Sequence, residues 1–274
     1  LFTDLWGLDK SRRWVTVYKD DDETHDLWLQ ETDISAERVL RFGDEHNFWE
    51  MGDTGPCGPC SEIHYYVGDV IEDQGSGGVN NTGEYWELWN LVFIQYDRQG
   101  DGSLIELPEK HVDTGAGLER IVTVLQNKSS NYETDLFQPI IQGIEKIAGS
   151  SYNKDIVPHH VIADHVRMLS FAIADGAMPA NEGRGYVLRR ILRRAARFGR
   201  LLGKEDPFLY QLVDFVIEIM GESFPELIDK KAHIEKVIKA EETSFSSTLE
   251  RGLLHFEKYM ETHAGDTVPG KEAF

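Results

Sequence analysis

The chain has 274 residues, of which 41% are hydrophobic, and its formal net charge is −20. This composition is typical of a globular protein with one large domain or two. No stretch approaches the roughly 20 apolar residues of a membrane span, and no secretory leader is recognised, so we expect no membrane partner. Two cysteines are too few for a disulfide scaffold and fit a reducing compartment, so we expect a cytoplasmic protein.

The first forty residues predict a strand over 14–18, a helix from about Glu23 and a second short helix over 35–40. The acidic run Asp20–Asp22 stands just before the first helix. Carboxylates there cap free N–H groups and complement the helix dipole. A metal site is the weaker alternative for this run.

Residues 47–62 (NFWEMGDTGPCGPCSE) combine a tryptophan with glycine- and proline-rich backbone. Such backbone predicts a loop rather than a regular element. A constrained loop with Trp49 at its entrance suits the wall of a small-molecule pocket. The alternative is a tight structural loop with Trp49 in the core, and the residues alone favour that alternative.

The pair Cys57-x-x-Cys60 offers two zinc ligands, with His64 as a third. Structural zinc normally takes four ligands, usually as two close pairs, and the next histidine is as far along the chain as His111. A redox dithiol would require a thioredoxin-like setting, which the pattern lacks. We therefore interpret the pair as part of a structural loop and predict no metal in this chain.

Residues 65–87 contain glycine-rich turns and predict a hairpin or a flexible insertion, and the apolar run 88–96 then predicts a central strand covered on both faces. Asn90 interrupts this run. A buried amide costs about 1–3 kcal/mol unless it is paired, so Asn90 needs partners. Asn90 and Val92 point to the same face because side chains alternate along a strand, so they can share one cavity. An asparagine satisfied by neighbouring backbone is the alternative.

Residues 113–120 read DTGAGLER and precede apolar residues at helical spacing. Glycine at 115 and 117 lets the backbone run close to a flat ligand. Arg120, in the first turn of the predicted helix, suits a phosphate. Asp113 is placed to hold a cationic group beside the same ligand.

A second strand is predicted over 104–113, after a turn that follows the central strand. Antiparallel pairing of the two strands would bring Asn90 and Val92 close to Asp113 and the two glycines. The sequence therefore predicts one composite site for a small ligand with a cationic end and a phosphate end.

From residue 151 onward the pattern is helical, so we place a domain boundary between residues 150 and 151. His159, His160 and His165 belong to a predicted helix with no cysteine near them, and we interpret them as helix-lining residues rather than metal ligands. A later helix is predicted to begin at Asp206, an N-cap followed by proline.

Seven arginines and no acidic residue lie within 184–200: Arg184, Arg189, Arg190, Arg193, Arg194, Arg197 and Arg200. They fall on a helix predicted over 186–202. Its predicted buried stripe consists of Val187, Leu188, Ile191, Leu192, Ala195 and Phe198. A solvated basic face without a partner is the alternative, but the lack of acids favours a polyanion site. Asn181, on the preceding loop, is placed to reach base edges while the arginines hold phosphates.

Three segments together resemble alanyl-tRNA synthetases, which are class II aminoacyl-tRNA synthetases: residues 47–62, residues 113–121 (DTGAGLERI) and residues 181–194 (NEGRGYVLRRILRR). The middle segment resembles motif 3 of class II enzymes. The segments follow the family's order, and the similarity extends over nearly the whole chain.

The resemblance implies an α+β fold. Residues 1–150 are expected to form the C-terminal portion of the class II catalytic core, an antiparallel sheet with flanking helices and with motif 3 at 113–122. Residues 151–274 are expected to form an all-α tRNA-recognition domain.

The resemblance also implies roles for single residues. The residues expected to bind alanine are Trp49, Asn90, Val92, Asp113 and Gly115. Those expected to bind ATP are Gly115, Gly117 and Arg120, and Arg120 is the expected catalytic residue. Those expected to bind tRNA are Asn181, Arg184, Arg189, Arg190, Arg193 and Arg194. Among them, Asn181 matches the asparagine that reads a G·U wobble pair in the tRNA acceptor stem.

The implied reaction is ATP- and Mg²⁺-dependent activation of L-alanine to alanyl-adenylate, followed by transfer to the 3′ end of tRNA(Ala). The family's motifs 1 and 2 and its editing domain are not recognised, so we expect a fragment that is impaired or inactive alone, and we expect zinc only in the longer parent. The alternative is a catalytically inactive tRNA-binding module derived from this fold. Retention of Asp113, Asn90 and Arg120 together speaks against that alternative.

Overall fold

A computed structural model describes residues 1–262 and residue 270. It divides into two compact units, unit 1 (Leu1–Thr134) and unit 2 (Asp135–Phe274). This division falls earlier than the domain boundary predicted between residues 150 and 151. The helix over Gln138–Ala148 accounts for the difference, because its buried isoleucines pack with the helices that follow it.

Unit 1 contains a six-stranded sheet flanked by helices. Its elements are β1 (Arg13–Tyr18), α1 (Asp22–Glu31), β2 (Val39–Phe42), α2 (Asp44–Asn47), β3 (Phe48–Glu50), β4 (Gly55–Tyr66), β5 (Tyr85–Arg98), β6 (Leu104–Ala116) and α3 (Leu118–Leu125). The strand order is β2-β1-β4-β5-β6, and β3 pairs with β4. Only β1 and β2 run parallel. This mostly antiparallel sheet with helices confirms the predicted α+β class.

The start of α1 follows the prediction, since Asp21 caps it by accepting a hydrogen bond from the Thr24 backbone N–H at 2.9 Å. The helix predicted over 35–40 is wrong. A short 3₁₀ turn over Ala36–Arg38 leads directly into β2, where Val39 pairs with Val15 of β1. Pairing of β-branched residues in the sheet outweighs the local helical pattern there.

The loop predicted over residues 47–62 is also wrong, because most of this segment is strand. The register of β4 against β5 shifts between Cys57 and Cys60, where three steps along β4 face four along β5, so the pairing is irregular there and the extra residue lies on β5. Irregular pairing tolerates proline and glycine inside a strand. Gly58 is required by close approach, since a Cβ would overlap the Phe93 carbonyl oxygen of β5. The glycine–proline pattern therefore marks an irregular strand.

β5 lies between β4 and β6, as expected for a central strand. The prediction that β5 is covered on both faces is wrong within unit 1. Among the residues of β5, only Tyr85, Leu88 and Val92 are buried. β6 is exposed along nearly its whole length, and Val112 is 70% exposed.

Unit 2 is built from helices in the part that the structure describes. They are α4 (Gln138–Ala148), α5 (Ile156–Ala174), α6 (Gly183–Leu201), α7 (Val213–Met220), α8 (Pro225–Asp229) and α9 (Lys231–Thr262), with a 3₁₀ turn over Leu209–Leu212 before α7. Its core includes the fully buried Ile162, Leu192 and Ile238. None of the described helices is long and apolar enough to cross a membrane.

α6 is the predicted arginine helix, and it begins three residues earlier than expected. Leu188, Leu192 and Ala195 are buried as predicted, whereas Val187 is exposed and its prediction is wrong. The buried stripe instead turns toward Gly199, where a Cβ would overlap the ring of Phe208. The helix packs so closely at this glycine that its apolar face is rotated away from Val187.

Asp206 does not start a helix. The backbone N–H groups of Phe208 and Leu209, just ahead of and within the 3₁₀ turn, instead donate to Glu242 of α9 at 3.1 and 3.0 Å. A carboxylate from a distant helix therefore takes the capping role that the sequence pattern gave to a local one.

Candidate functional site

The pairing of β5 with β6 brings four of the predicted site residues together. Asn90 lies opposite Gly115, and Val92 lies opposite Asp113. The antiparallel pairing predicted from the sequence is thereby confirmed. One patch of two neighbouring strands thus carries a carboxylate, an amide, a small apolar side chain and a glycine.

Glu62 of β4 lies at the centre of the polar contacts of Asn90. The Asn90 Nδ2 donates to Glu62 Oε1 at 3.3 Å, and Glu62 Oε2 accepts from the Thr16 hydroxyl at 3.0 Å. The same Oε2 lies 3.0 Å from His64 Nε2. Glu62, Thr16 and His64 are buried, so these groups depend on one another for hydrogen bonds.

Sequence reasoning missed Glu62, because it lay in the segment predicted as a loop. The available signal was the alternation of Glu62 and His64 at a spacing of two, which places both on one face of a strand. The alternative interpretation of Asn90, an amide satisfied by neighbouring backbone, does not match the structure, because its partner is the buried Glu62 carboxylate. The Asn90 Oδ1 is buried and has no hydrogen-bond partner among the described residues.

The glycines of the motif leave space beside the strand end. A Cβ at Gly115 would meet no described atom within 4 Å, and the three atoms nearest to one at Gly117 would be side-chain atoms of Arg120, at 3.4 Å or more. Packing within the chain therefore does not require glycine at either position. Asp113 beside them is exposed, and its Oδ1 accepts from the Thr114 backbone N–H at 2.8 Å.

Arg120 lies in the first turn of α3, as predicted. Its Nη1 donates to the Glu87 carbonyl oxygen at 2.9 Å and lies 3.4 Å from Glu87 Oε2. Half of the side chain is exposed, and it lines a cavity of about 360 Å³ together with His64, Trp86 and Glu87. The guanidinium is thus held by a backbone carbonyl at the edge of a polar cavity.

Trp49 lies on β3, opposite Gly58 of β4. Because β3 and β5 pair with opposite edges of β4, the structure places Trp49 across β4 from Asn90 and Val92. It is half-buried there. The tryptophan is therefore separated from the β5–β6 patch by one strand.

Cys57 and Cys60 are free and buried in β4. Burial, assisted by the Glu62 carboxylate, raises the pKa of the Cys60 thiol to about 12. Burial likewise raises the pKa of Cys57. Protonated thiols are weak ligands and weak nucleophiles, so the geometry favours a structural role. Among the described residues no group of three or more histidine, cysteine, aspartate or glutamate side chains could hold a metal ion.

A second candidate site lies on α6. Three arginines there have no ion-pair partner among the described residues, and their guanidinium groups lie over aromatic rings: Arg190 over Tyr186 at 5.8 Å, and Arg194 and Arg197 over Phe198 at 5.9 and 5.5 Å. All three line a cavity of about 530 Å³ whose wall also includes Phe245 of α9. The cavity is basic and has an aromatic side. Arg184, in the first turn of α6, is exposed.

The remaining arginines of α6 are bound by carboxylates of α9. Glu241 holds Arg189 and Arg193, and Glu250 accepts from Arg200 at 3.2 Å. Arg189 also donates to the side-chain oxygen of Asn181. Sequence reasoning missed Glu241 because Arg193 and Glu241 are 48 residues apart and the α9 pattern indicated only bundle packing.

Comparison with known proteins covers the whole chain. The family described as "tRNA synthetases class II (A)" matches residues 1–274. The alanine–tRNA ligases of Chlorobaculum tepidum and Chlorobium chlorochromatii are 51% and 52% identical over 100% of this chain and 32% of their own lengths. That of Magnetococcus marinus is 48% identical over 99% of this chain and 32% of its own length. The chain thus spans about a third of these relatives. Since the family matches every residue from first to last, this chain belongs to the class II (A) tRNA synthetases.

Proposed function

We propose that this chain is part of an alanine–tRNA ligase, which activates L-alanine with ATP and transfers the alanyl group to the 3′ end of tRNA(Ala). The observation that carries the proposal is the β5–β6 register, which sets Asn90 and Val92 opposite Gly115 and Asp113. The relatives' identity as alanine–tRNA ligases supports the choice of amino acid. We place the activity in the cytoplasm.

The alanine end of the site is formed by the strand patch. The exposed Asp113 carboxylate takes the α-ammonium group, since it offers a charge-assisted acceptor without an ion-pair partner in the described part of the chain. Asn90, whose Nδ2 is held by Glu62 and which lies opposite Gly115, contributes to the polar orientation of the substrate. Val92 supplies a small apolar wall for a methyl side chain, and Trp49 contributes from across β4.

The ATP end begins at the two glycines. Gly115 and Gly117 leave room for the adenine ring to lie against the backbone, since neither position is filled by the chain itself. Arg120 extends from the first turn of α3 and meets the terminal phosphates with its planar fork of donors. In catalysis it stabilises the charge that moves onto the leaving pyrophosphate.

Mg²⁺ in ATP sites is held by one or two carboxylates together with the substrate's phosphates. The Glu87 carboxylate, 3.4 Å from Arg120, fits as one such ligand, and the ion would neutralise phosphate charge. A dedicated metal cage is not required for this role.

The reaction has two displacements. A carboxylate oxygen of alanine attacks the α-phosphorus of ATP, forming alanyl-adenylate as pyrophosphate leaves. A ribose hydroxyl at the tRNA 3′ end then attacks the acyl carbon, and AMP leaves with the bonding electron pair while its phosphate takes up the hydroxyl proton. Positioning and charge stabilisation dominate such chemistry, so the chain needs to supply no general base.

The tRNA acceptor stem binds along α6. Arg184, Arg190 and Arg194 hold phosphates, because none of them forms a close ion pair with a carboxylate among the described residues, while Asn181 reads the G·U pair from the preceding loop. Arg189 and Arg193 belong to the same surface but are already bound by Glu241. Their contribution is therefore smaller than the sequence alone would indicate.

The chain alone is expected to be impaired in adenylate formation, since it spans about a third of its relatives. The test is a melting-temperature titration with a non-hydrolysable alanyl-adenylate analogue, with glycyl and seryl analogues as comparators. A saturable rise with the alanyl compound, weakened in Asp113→Asn, is expected. No rise with this chain and none with a version extended at its N-terminus would overturn the proposed pocket. Alanine-dependent pyrophosphate exchange at the rate of a full-length relative would contradict the expected impairment.

A further inference from the structure

One carboxylate of α9 binds two arginines of α6. Glu241 Oε1 lies 3.0 Å from Arg189 Nε, accepts a hydrogen bond from Arg193 Nε at 2.9 Å, and lies 2.9 Å from Arg193 Nη2. The Glu241 side chain is 10% exposed, whereas that of Glu250, which binds Arg200 farther along α6, is 59% exposed. The Glu241 pairs are therefore the better shielded from water and salt.

Arg189 also contacts the loop ahead of α6, so it connects that loop to Glu241. Its Nη1 donates to the Asn181 Oδ1, eight residues earlier in the chain. Long helical side chains lean toward the N-terminus, which is the direction of Asn181. The planar guanidinium thus forms an ion pair with Glu241 at its Nε, where no hydrogen bond forms, and donates a hydrogen bond to Asn181 from a terminal nitrogen. Fixing one end of such a rigid group fixes the other.

This arrangement decides which end of the Asn181 amide faces outward. A guanidinium has donors only, so the amide oxygen must face Arg189, and the Nδ2 with its two N–H groups turns away. An asparagine on a loop without this contact would rotate and present either a donor or an acceptor. A base pair is discriminated only when the group that faces it has a fixed hydrogen-bonding character.

We infer that Glu241 is a positioning residue for RNA recognition, which acts through Arg189 to hold the Asn181 amide in one orientation. This role rests on the proposed reading of the tRNA acceptor stem by α6. It assigns Glu241 and Arg189 to specificity and leaves Arg184, Arg190 and Arg194 to supply affinity.

The test uses Glu241→Gln and two RNA hairpins that are identical except for one acceptor-stem pair, G·U in one and G·C in the other. The unsubstituted chain is expected to prefer the G·U hairpin by about tenfold. In the variant this preference is expected to fall to about twofold. Affinity for the G·C hairpin should stay the same or rise, because a negative charge near the phosphates is removed.

Glu250→Gln is the matched control, since it makes the same change on the same helix at a carboxylate that binds Arg200. It should keep the tenfold preference. Arg189→Lys is a second test variant, because lysine keeps the charge but loses the fork. It should lower the preference as Glu241→Gln does. Unchanged melting temperatures establish that the variants are folded.

Measurements in the Asn181→Ala background distinguish the positioning role of Glu241 from a merely structural one. There, adding Glu241→Gln should not weaken binding of the G·U hairpin any further; a further loss would overturn the positioning role. So would a tenfold preference that persists in both Glu241→Gln and Arg189→Lys. Equal binding of the two hairpins by the unsubstituted chain would overturn the proposed RNA recognition itself, and the role of Glu241 with it.

Discussion

Glu62 in unit 1 and Glu241 in unit 2 each engage several partners, but the two carboxylates differ in the surroundings of those partners. Around Glu62 in unit 1, the partners Thr16 and His64 are themselves buried, and the contact ends inside the sheet. Around Glu241 in unit 2, the partners are arginines whose side chains extend to an open surface. Among the described residues the buried Thr16 hydroxyl donates to Glu62 alone, although it also accepts from Asn47, whereas the partly exposed arginines have water as an alternative.

This difference matches the ligands that we propose for the two units. A pocket for a ligand as small as alanine requires polar atoms fixed to a fraction of an ångström, which a closed network around Glu62 provides. A duplex RNA is held by many phosphates at once, so single contacts on α6 matter less and vary with salt. Changes around Glu62 should therefore have large effects, and changes on the α6 surface should have small, salt-dependent ones.

The largest effect is expected from Glu62→Ala. Removal of the carboxylate leaves Thr16, His64 and the Asn90 amide without their partner, which should lower the free energy of unfolding of unit 1 by about 4 kcal/mol. Urea unfolding followed by tryptophan fluorescence reports unit 1 alone, because all six tryptophans lie in it. The exposed Glu72→Ala should change this value by no more than about 0.5 kcal/mol. Equal effects of the two variants on the free energy of unfolding would contradict the special role of the buried Glu62 network.

Glu242 shows whether burial, rather than membership of a unit, sets the size of such effects. It is buried in unit 2 directly beside Glu241, and burial raises the pKa of its carboxyl from 4.5 to about 7, against the opposing hydrogen bonds from Phe208 and Leu209. The folded state therefore keeps its proton at a pH where the unfolded state has lost it. The stability from this group is complete below pH 4.5 and is lost as the pH rises through about 7.

Glu242→Gln removes the titrating group, so the variant should lack this loss. Between pH 4.5 and pH 8 the free energy of unfolding of the variant should gain about 3 kcal/mol relative to the unsubstituted chain. Urea unfolding followed by helical circular dichroism at several pH values measures the difference. Glu250→Gln, at an exposed carboxylate, should follow the unsubstituted chain. A constant offset across the pH range would show that the Glu242 carboxyl does not titrate in this window.

Two glycines of the same sheet, Gly58 on β4 and Gly115 on β6, differ in whether packing within the chain or space for a ligand explains them. Gly58→Ala forces a Cβ against the Phe93 carbonyl and should destabilise unit 1 by about 2 kcal/mol. Gly115→Ala meets no described atom and should change stability by at most about 0.5 kcal/mol. The same change should weaken binding of the alanyl-adenylate analogue about tenfold, because the methyl group takes up ligand space. Unimpaired binding in Gly115→Ala would argue against an adenine floor there.

The sequence was informative where local pattern determines structure. The apolar run 88–96 and the turn after it were enough to predict β5, β6 and their pairing, because strand alternation and turn chemistry act over a few residues. Motif spacing likewise placed Arg120 in the first turn of α3. The same rules gave a wrong result at β4, where glycine and proline belong to an irregularly paired strand instead of a loop.

Such local rules could not predict the hydrogen-bond partners of the functional residues. Glu62 lies 28 residues from Asn90, Glu241 lies 48 from Arg193, and Glu242 lies 34 from the Phe208 N–H that it accepts. Asp206 had the local pattern of a cap, yet a carboxylate on α9 satisfies those groups. Contacts of this kind depend on how whole elements pack, which no short segment encodes.

The smallest effect is expected on the open surface of α6, from Arg194→Gln. Arg194 has no ion-pair partner among the described residues, so its charge is free to displace one counterion from an RNA duplex. The variant should bind the G·C hairpin about threefold more weakly, and the slope of log affinity against log salt concentration should fall by about one.

Arg200→Gln is the matched change on the same helix. Because Arg200 is already neutralised by Glu250, it should leave the slope nearly unchanged. If both variants lower the slope equally, the α9 carboxylates release their arginines when RNA binds. The division of α6 into bound and free arginines would then describe only the unbound chain.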